Sequence, residues 1–466
     1  ESIAVTLDGT EVAADVSKTD AVTTVTYRAD ALLASGSQHT AGISFTDNST
    51  PPVAQSAELP FVATAYVTLP ASFAVNPDAV DRSKGGFNVR VTQIDFARPT
   101  GNNLPGPLDQ LAGNIIDPTT GQPAENMIDA WPPEDWVDGI YTEVEVINYN
   151  QDATGDDDPA SQAGNFGANT LPTPKFEDPI PGIPSIVALA PTDNIATEIT
   201  TYLELKAGLL TMVVNSDDGF LVDAGVAPTD ALAIQAGVFD GGRGAADTVF
   251  LIEIVEDGIY PFRLVWWEGD GGANVEWFTV AEDGTMILIN DAAESGAVKA
   301  YREGPVPPYI ESISPMPGST GTPGTTTIDI VLVDGVSAVQ TGSVELALDG
   351  EVVNATVNKT GGRTTISYDP PGQLPELTDV QVHLTYGDDA SPANVRTEQY
   401  TFTTGVVTEL IFGIDENTLW KYDNDGRDLG TAWKETDFND SAWSEGAALL
   451  ALESGATAEP IRTDLS

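Results

Sequence analysis

Two adjacent aspartates between two apolar runs are the residues of this sequence best suited to holding a cation. Asp217 and Asp218 follow the run LLTMVVNS and precede Gly219 and the run FLV. Their carboxylates are hard oxygen ligands of the kind that Ca²⁺ takes in proteins, and Gly219 is expected to relieve the backbone at the turn. The alternative is a purely structural turn, in which one aspartate accepts backbone N–H groups. The sequence leaves both interpretations open.

Other acidic residues follow later strands and are expected near the same place. We predict that Glu268 and Asp270 join the two aspartates as metal ligands, with Ca²⁺ as the cofactor. Asp240 and Asp247 are expected at the same end of the fold. Spacing alone does not show that these side chains converge.

Composition narrows the classes of function. The chain carries 71 acidic against 19 basic residues, a net charge of −52, which argues against nucleic acid as a partner. Bound Ca²⁺ or a medium of high ionic strength would offset the repulsion among the acidic residues. There is no cysteine, so thiolate chemistry is excluded, and the two histidines lie in predicted strands. We therefore expect no Ser-His-Asp triad, no catalytic site and, with no apolar run of about 20 residues, no membrane span.

Short strands are the elements that must position these residues. The 44 glycines and 32 prolines punctuate apolar and alternating runs along the whole chain, such as TVFLIEIV and YPFRLVWW. This pattern predicts an all-β fold of tandem β-sandwich modules rather than long helices.

An internal repeat divides the chain. The stretch VELALDGEVVNATVNKTGGRTTISY from Val344 superimposes without a gap on IAVTLDGTEVAADVSKTDAVTTVTY from Ile3, at a constant shift of 341 positions. Both copies resemble bacterial immunoglobulin-like modules. The later copy has a lead-in, residues 307–335, that the first lacks. We therefore expect the first module to be cut short, and its missing strands to come from upstream chain or from a neighbouring molecule.

The central region resembles the PA14 family of β-sandwich modules found in toxins, adhesins and glycosidases. The segments that carry the resemblance are GLLTMVVNSDDGFL, from Gly208, and GIYPFRLVWWEGDGGANVEW, from Gly258. The chain departs from the family pattern at Leu210 and Met212, where aromatics are usual, and through an inserted GGRGAAD. In sugar-binding members, paired aspartates and calcium hold vicinal hydroxyls of a glycan, which the resemblance would assign to Asp217 and Asp218.

Aromatic residues could add a sugar platform to that site. Trp266 and Trp267 are neighbours in one predicted strand, so their side chains must point to opposite faces. We expect one to be core and the other exposed, and Trp267 is the candidate for stacking on a glycan. The alternative is that both rings, like the other aromatic residues of these predicted strands, pack in the core.

The last part of the chain carries two weaker acidic patterns. The segment LWKYDNDGRDLGTAWKETDFNDSAW resembles the opening of a galactose-binding-like jelly roll, which we expect to be truncated. Its Asp423, Asp425 and Asp428 have the look of a calcium loop but lack the distal glutamate of an EF-hand, so a solvated hairpin turn is the alternative. The run GDDD at 155–158 is either a solvated loop or a calcium-stiffened linker.

These features predict four modules: a partial immunoglobulin-like module (1–64), a PA14-like sandwich with a long N-terminal elaboration (65–304), a complete immunoglobulin-like module (305–405) and a truncated jelly roll (406–466). We expect a non-enzymatic, extracellular or cell-surface segment of a large secreted protein, structural or adhesive, calcium-stabilised and fibre-forming. Its expected partners are further copies, surface or matrix polymers and glycans. The alternative is a glycan-binding accessory region of a polysaccharide-degrading enzyme.

Overall fold

A computed structural model provides the fold. It describes residues 3–130, 133–134, 136–153, 164–167, 177–183, 192–406, 418–426, 428–435, 438–447, 450–451 and 463–464. Of the described residues, 46% are in strands and 5% in helices, and the strands form several separate and mostly antiparallel sheets. The predicted all-β fold class is therefore confirmed.

The chain forms two compact units. One comprises Glu1–Ser319, Thr326–Pro371 and Val380–Phe402, and the other comprises Thr320–Thr325, Gly372–Asp379 and Thr403–Ser466. This division does not follow the four predicted modules, whose boundaries stay a prediction.

The first strands of the larger unit build a four-stranded sheet and a separate hairpin. The sheet has the order β2-β1-β5-β6, and β3 pairs with β4. Their bounds are β1 Ala4–Leu7, β2 Thr10–Val12, β3 Asp15–Thr19, β4 Val22–Thr26, β5 Gln38–Thr46 and β6 Ala54–Val62. None of the residues from Ile3 to Val62 is buried.

Two large sheets occupy the middle of the same unit. Fourteen strands build them: β7 Val67–Leu69, β8 Phe87–Gln93, β9 Trp136–Val137, β10 Ile140–Glu143, β11 Asn148–Asn150, β12 Ile195–Leu205, β13 Gly208–Ser216, β14 Gly219–Ala224, β15 Ile234–Phe239, β16 Ala246–Ile254, β17 Gly258–Glu268, β18 Asn274–Val280, β19 Met286–Leu288 and β20 Lys299–Tyr301. The eight-stranded sheet runs β15-β14-β17-β12-β8-β10-β9 with β20 beside β12. The six-stranded sheet runs β11-β18-β13-β16-β7 with β19 beside β18.

The apolar core lies between these two sheets. Buried residues from both pack in one cluster, including Phe220 and Trp266 of the eight-stranded sheet and Met212 and Trp277 of the six-stranded sheet. Alternate residues of β8 and β12 face this core because side chains alternate along a strand. The helix α1, Gly106–Leu111, lies against β8 and β12. Short 3₁₀ turns cover Ala71–Phe73, Pro77–Ala79 and Met127–Ala130.

Two four-stranded sheets follow. Their orders are β21-β22-β26-β25 and β24-β23-β27-β28. The bounds are β21 Tyr309–Ser314, β22 Ile328–Val333, β23 Glu345–Leu348, β24 Glu351–Val353, β25 Thr356–Thr360, β26 Arg363–Tyr368, β27 Asp379–Gly387 and β28 Val395–Thr403, with a 3₁₀ turn at Thr341–Ser343. Alternate residues of β22 and β27 are buried, so each sheet has one core face.

The smaller unit carries the last strands: β29 Leu419–Tyr422, β30 Ser444–Ala447, β31 Leu450–Ala451 and β32 Thr463–Asp464, with a 3₁₀ turn at Ala432–Lys434. Strand β29 pairs antiparallel with β30, and β31 pairs parallel with β32. Among the described residues of the chain, no helix is long and apolar enough to cross a membrane.

Candidate metal and ligand site

The aspartate pair lies where the chain crosses from one central sheet to the other. Strand β13 of the six-stranded sheet ends at Ser216, and β14 of the eight-stranded sheet begins at Gly219. Strand β17 ends at Glu268 and pairs with β14 so that Gly219 lies opposite Trp267. This register places Glu268 beside the turn, which spacing along the chain could not show.

Three carboxylates converge at this point. One oxygen each from Asp217, Asp218 and Glu268 lies within 4.8 Å of the other two. Asp217 is half-buried, whereas Asp218 and Glu268 are buried. Three of the four residues that the sequence predicts as metal ligands therefore lie together in the structure.

Glu268 is the unusual member of the group. Its side chain is 0% exposed, and neither carboxylate oxygen accepts an N–H group of any described residue. The neighbouring carboxyl of Asp218 is close enough to share a proton with it. Burial, followed by the charge of Asp218, raises the pKa of Glu268 to about 11. Burial and the neighbouring Asp218 also raise the pKa of Asp217 to about 6. A buried carboxyl group without donors is costly unless a proton or a cation neutralises it.

Asp218, in contrast, is well supplied with donors. Its Oδ1 accepts the backbone N–H of Arg243 at 2.8 Å, and its Oδ2 accepts Asn102 Nδ2 at 2.6 Å and the backbone N–H of Gly269 at 2.7 Å. Its backbone has φ 55°, in the left-handed region that aspartate tolerates better than most residues. The structural turn therefore exists at Asp218, alongside the carboxylate cluster.

Gly219 has a different role from the one expected. It does not take the left-handed conformation; Asp218 does. A Cβ on Gly219 would lie 2.1 Å from the ring of Trp267, so the glycine is needed for close packing between β14 and β17.

An arginine from a distant loop supports the site. Arg98 is 5% exposed and donates to Gln110 Oε1 at 2.8 Å and to the Glu268 carbonyl oxygen at 2.9 Å. It also donates to Asn102 Oδ1 at 3.2 Å, which orients the amide that binds Asp218. Burial lowers the pKa of Arg98 to about 10, opposed by the charges of Glu268 and Asp218. Arg98 and Asn102 could not be predicted as site residues, because their loop has no regular sequence pattern.

The insertion GGRGAAD contributes to the same site. Arg243, inside it, donates its backbone N–H to Asp218, and its guanidinium donates to Ser216 Oγ at 2.8 Å and Thr248 Oγ1 at 2.8 Å. The guanidinium carbon lies 4.0 Å from the centre of the Phe239 ring. The insertion thus helps to hold the turn.

The remaining predicted acidic residues do not join the three carboxylates. Asp270 is exposed and lies outside the cluster. Asp240 accepts the backbone N–H of Leu104 at 2.7 Å, and Asp247 accepts the side-chain amides of Asn165 and Asn215.

The expectation that one tryptophan of the pair is exposed is wrong. Trp266 and Trp267 are both 0% exposed. Trp266 points into the core between the sheets, and Trp267 packs in a second cluster with Leu111 and Leu221 on the opposite face. The α1 segment covers that face, so the Trp267 ring is not accessible as a sugar platform.

The donor set fits Ca²⁺. This cation takes six to eight oxygens, and carboxylates can bind it through one or both oxygens. Asp217, Asp218 and Glu268 bring six carboxylate oxygens together. The two of Asp218 already accept N–H groups, whereas the two of Glu268 accept none from the described residues. Asp217 gives the site a side that is not fully buried.

A Ser-His-Asp arrangement, which the sequence argued against, does occur in the first sheet. His39 lies 2.6 Å from Ser37 Oγ through Nε2 and 2.7 Å from Asp8 Oδ2 through Nδ1. However, Ser37 Oγ also donates to the carbonyl oxygen of Ala34 at 2.5 Å. The serine proton is thereby directed away from His39, the reverse of what nucleophilic catalysis requires. Asp8 holds the chain by accepting the backbone N–H of Thr40, as Asp349 does for Gln381 in the second copy.

Of the two weaker acidic patterns, one makes contacts within its own turns and the other lies outside the described residues. Asp423 accepts the backbone N–H of Asp425, and Asp428 accepts that of Gly430, which are turn-type contacts. The run at 155–158 lies outside the described residues.

No protein-family model matches the chain, and no curated protein matches it. Solved structures similar to it include the PA14 domain of the MpAFP antifreeze protein, at 16% identity and TM-score 0.27, over 47% of this chain and 90% of that one. The PA14 sugar-binding domain from an RTX adhesin matches at 17% identity and TM-score 0.26, over 44% and 95%. The Epithelial Adhesin 9 A domain from Candida glabrata, in complex with Galb1-4GlcNAc, matches at 14% and 0.27, over 51% and 97%. With every TM-score below 0.5, these similarities do not decide the function.

Proposed function

We propose that the central sandwich is a calcium-binding module within a non-enzymatic, extracellular segment with a structural or adhesive role. One observation carries the proposal: Glu268 is fully buried beside two aspartates, and its carboxylate oxygens accept no N–H group from the described residues. A divalent cation would neutralise three carboxylates that otherwise repel one another. The net charge of −52 makes such neutralisation favourable for the whole chain.

A shared proton is the competing occupant of the same space. If Glu268 stays protonated and donates to Asp218, the cluster is satisfied without a metal. The two states differ in their response to Ca²⁺, because a ligand that binds only the folded state stabilises it by mass action.

Thermal unfolding separates the two states. At a Ca²⁺ concentration 100 times Kd, the folded state should gain about 2.7 kcal/mol over the chelated protein. For a module of this size the melting temperature should rise by roughly 5–10 °C. Equal concentrations of Mg²⁺ and of NaCl serve as controls for general screening. A melting curve that is the same in Ca²⁺ and in chelator would refute the proposal.

Calcium-dependent glycan binding is a second candidate function. It is favoured by Asp217, the one carboxylate of the cluster that is not fully buried, since this leaves the cation an open side. Sugar hydroxyls could complete the coordination from that side. The contact would use the cation and Asp217 rather than the buried ring of Trp267. A glycan array read with Ca²⁺ and with chelator tests this, and signals that are absent in both would count against it.

Self-association into a fibre and contact with surface polymers complete the proposed role. What supports self-association is the apolar side chains that the first sheet exposes, such as Leu59 at 67% and Val62 at 61%. Sedimentation over a range of concentrations tests it, and a monomer at every concentration would contradict it.

A further inference from the structure

A short stretch of the later repeat copy contains two possible sites of covalent modification. The sequence NATVNKT, residues 354–360, holds two Asn-x-Thr motifs, one beginning at Asn354 and the other at Asn358. Asn-x-Ser/Thr is the acceptor sequence for N-linked oligosaccharides. Two further motifs begin at Asn48 and Asn439, and none lies between residues 65 and 304, although most of the asparagines are there. The motifs are therefore confined to the parts of the chain that flank the central sandwich.

Both motifs of this stretch present their acceptor residues on one exposed face. Alternate side chains of an extended chain point in the same direction. The residues that define the two motifs alternate along the chain and are all exposed: Asn354, Thr356, Asn358 and Thr360. The residues between them are half-buried, and Lys359 fixes the strand from that inner side by donating to Asp334 Oδ1 and to the Val339 carbonyl oxygen, each at 2.8 Å. The asparagine amides are therefore accessible on a strand that is held in place.

The two motifs lie at strand edges. Strand β25 is an end strand of the sheet β21-β22-β26-β25, and β24, which precedes it, is an end strand of the sheet β24-β23-β27-β28. An exposed edge can pair with another chain, and proteins commonly prevent this with charged side chains. Here no acidic residue occurs between Glu351 and Asp369, in a chain that has 71 of them. These edges therefore lack the acidic charge that the rest of the chain carries.

The first copy of the repeat has the opposite composition in the matched stretch. At the shift of 341 positions, Asp15 stands where the later copy has Thr356, and Ala13 and Ser17 stand where it has its two asparagines. The first copy thus has acidic charge without an acceptor motif, and the later copy has two acceptor motifs without acidic charge. An attached oligosaccharide would keep the later copy's edge hydrated, as charge does in the first.

We propose that Asn354 and Asn358 carry N-linked oligosaccharides that cover this edge, an inference that rests on the proposed extracellular location. The donor is an oligosaccharide joined through phosphate to a lipid, and a membrane-bound transferase of the producing cell catalyses the transfer. The amide nitrogen of the asparagine forms a bond to C1 of the first sugar, and the bond between C1 and the phosphate oxygen breaks. The amide loses one proton, and the lipid phosphate leaves.

Mass spectrometry of the protein purified from the cells that produce it tests the modification. Cleavage after glutamate releases residues 352–376, which contain both motifs. We expect this peptide to be heavier than its sequence by two oligosaccharides, with fragment ions that place one on Asn354 and one on Asn358. Asn394, which has no hydroxyl residue two positions later, is the internal control and should be unmodified.

Variants of the exposed threonines, made in the same cells, test the motif and its role. Thr360→Ala should remove the oligosaccharide from Asn358 and leave the one on Asn354, whereas Thr360→Ser should keep both. Thr356→Ala combined with Thr360→Ala should remove both. In sedimentation, this double variant should self-associate at a severalfold lower concentration than the wild-type protein, because its strand edge is uncovered.

The outcomes separate this inference from the proposed function. Secreted protein whose peptide 352–376 has the unmodified mass would overturn the inference and leave the extracellular role intact. Protein that is found only inside the cell and is unmodified would overturn both. Added mass that persists in Thr360→Ala at Asn358 would show a different modification and overturn the inference as well. Equal self-association of the double variant and the wild-type protein would overturn the covering role.

Discussion

Glu268 and Asp218 lie side by side but have different roles. Asp218 accepts three N–H groups and holds the turn, whereas the Glu268 carboxylate accepts none from the part of the chain that the structure describes. Substitution should therefore separate the structural part of the site from the metal-binding part.

Glu268→Gln should stabilise the calcium-free protein, because it removes a buried acidic group from beside two others. Asp218→Asn should destabilise it by about 1–3 kcal/mol, because an amide nitrogen would face N–H donors. Chemical denaturation in chelator measures both changes. Equal destabilisation by the two substitutions would contradict the division of roles.

Glu143 gives the folded state a pH dependence. It is buried, accepts the Glu145 backbone N–H at 2.8 Å and the Tyr149 hydroxyl at 3.0 Å, and burial raises its pKa to about 7. Between the unfolded pKa, near 4.5, and about 7, the folded state keeps a proton that the unfolded state has lost. Stability therefore falls as pH rises through this window.

Glu143→Gln should remove this loss of stability at higher pH. Relative to wild type, its free energy of unfolding should increase from pH 5 to pH 8 by about 1–3 kcal/mol. Glu145→Gln, at an exposed site two residues away, is the control and should show no such trend. A constant difference between Glu143→Gln and wild type across this range would show that Glu143 titrates normally.

At the scale of the element, β17 shows what could be predicted and what could not. Its apolar residues correctly predicted a strand, and the alternation correctly placed Trp266 and Trp267 on opposite faces. What covers each face was not predictable, because the α1 segment comes from about 160 residues earlier in the chain. The same holds for Arg98 and Asn102, whose partners are defined by tertiary contacts and not by a local pattern.

The contact between β14 and β17 depends on Gly219. Gly219→Ala should cost about 1–3 kcal/mol, because its Cβ would overlap the Trp267 ring, which packing holds in place. Gly244→Ala, in the loop between β15 and β16, is the matched control, since its Cβ would meet no atom within 4 Å. Thermal unfolding of both variants measures the effect, and similar melting temperatures would show that the ring can move aside.

The whole molecule carries a net charge of −52, and this makes salt a second influence on stability. Raising NaCl from 0.1 to 1 M shortens the Debye length from about 10 to about 3 Å, which screens the self-repulsion. In chelator, the melting temperature should rise gradually as the NaCl concentration increases. It should not level off at micromolar or low millimolar NaCl. A melting temperature independent of NaCl would show that the acidic residues are compensated locally.

The central claim is that one cation binds where Asp217, Asp218 and Glu268 meet. Isothermal titration of Ca²⁺ into the chelator-treated full chain tests it most directly, with Glu268→Gln and Asp270→Asn as a pair that each removes one acidic group. We predict a binding event of one Ca²⁺ per chain that is lost in Glu268→Gln and kept in Asp270→Asn. Unchanged binding in Glu268→Gln, or no binding to the wild-type chain, would contradict the claim.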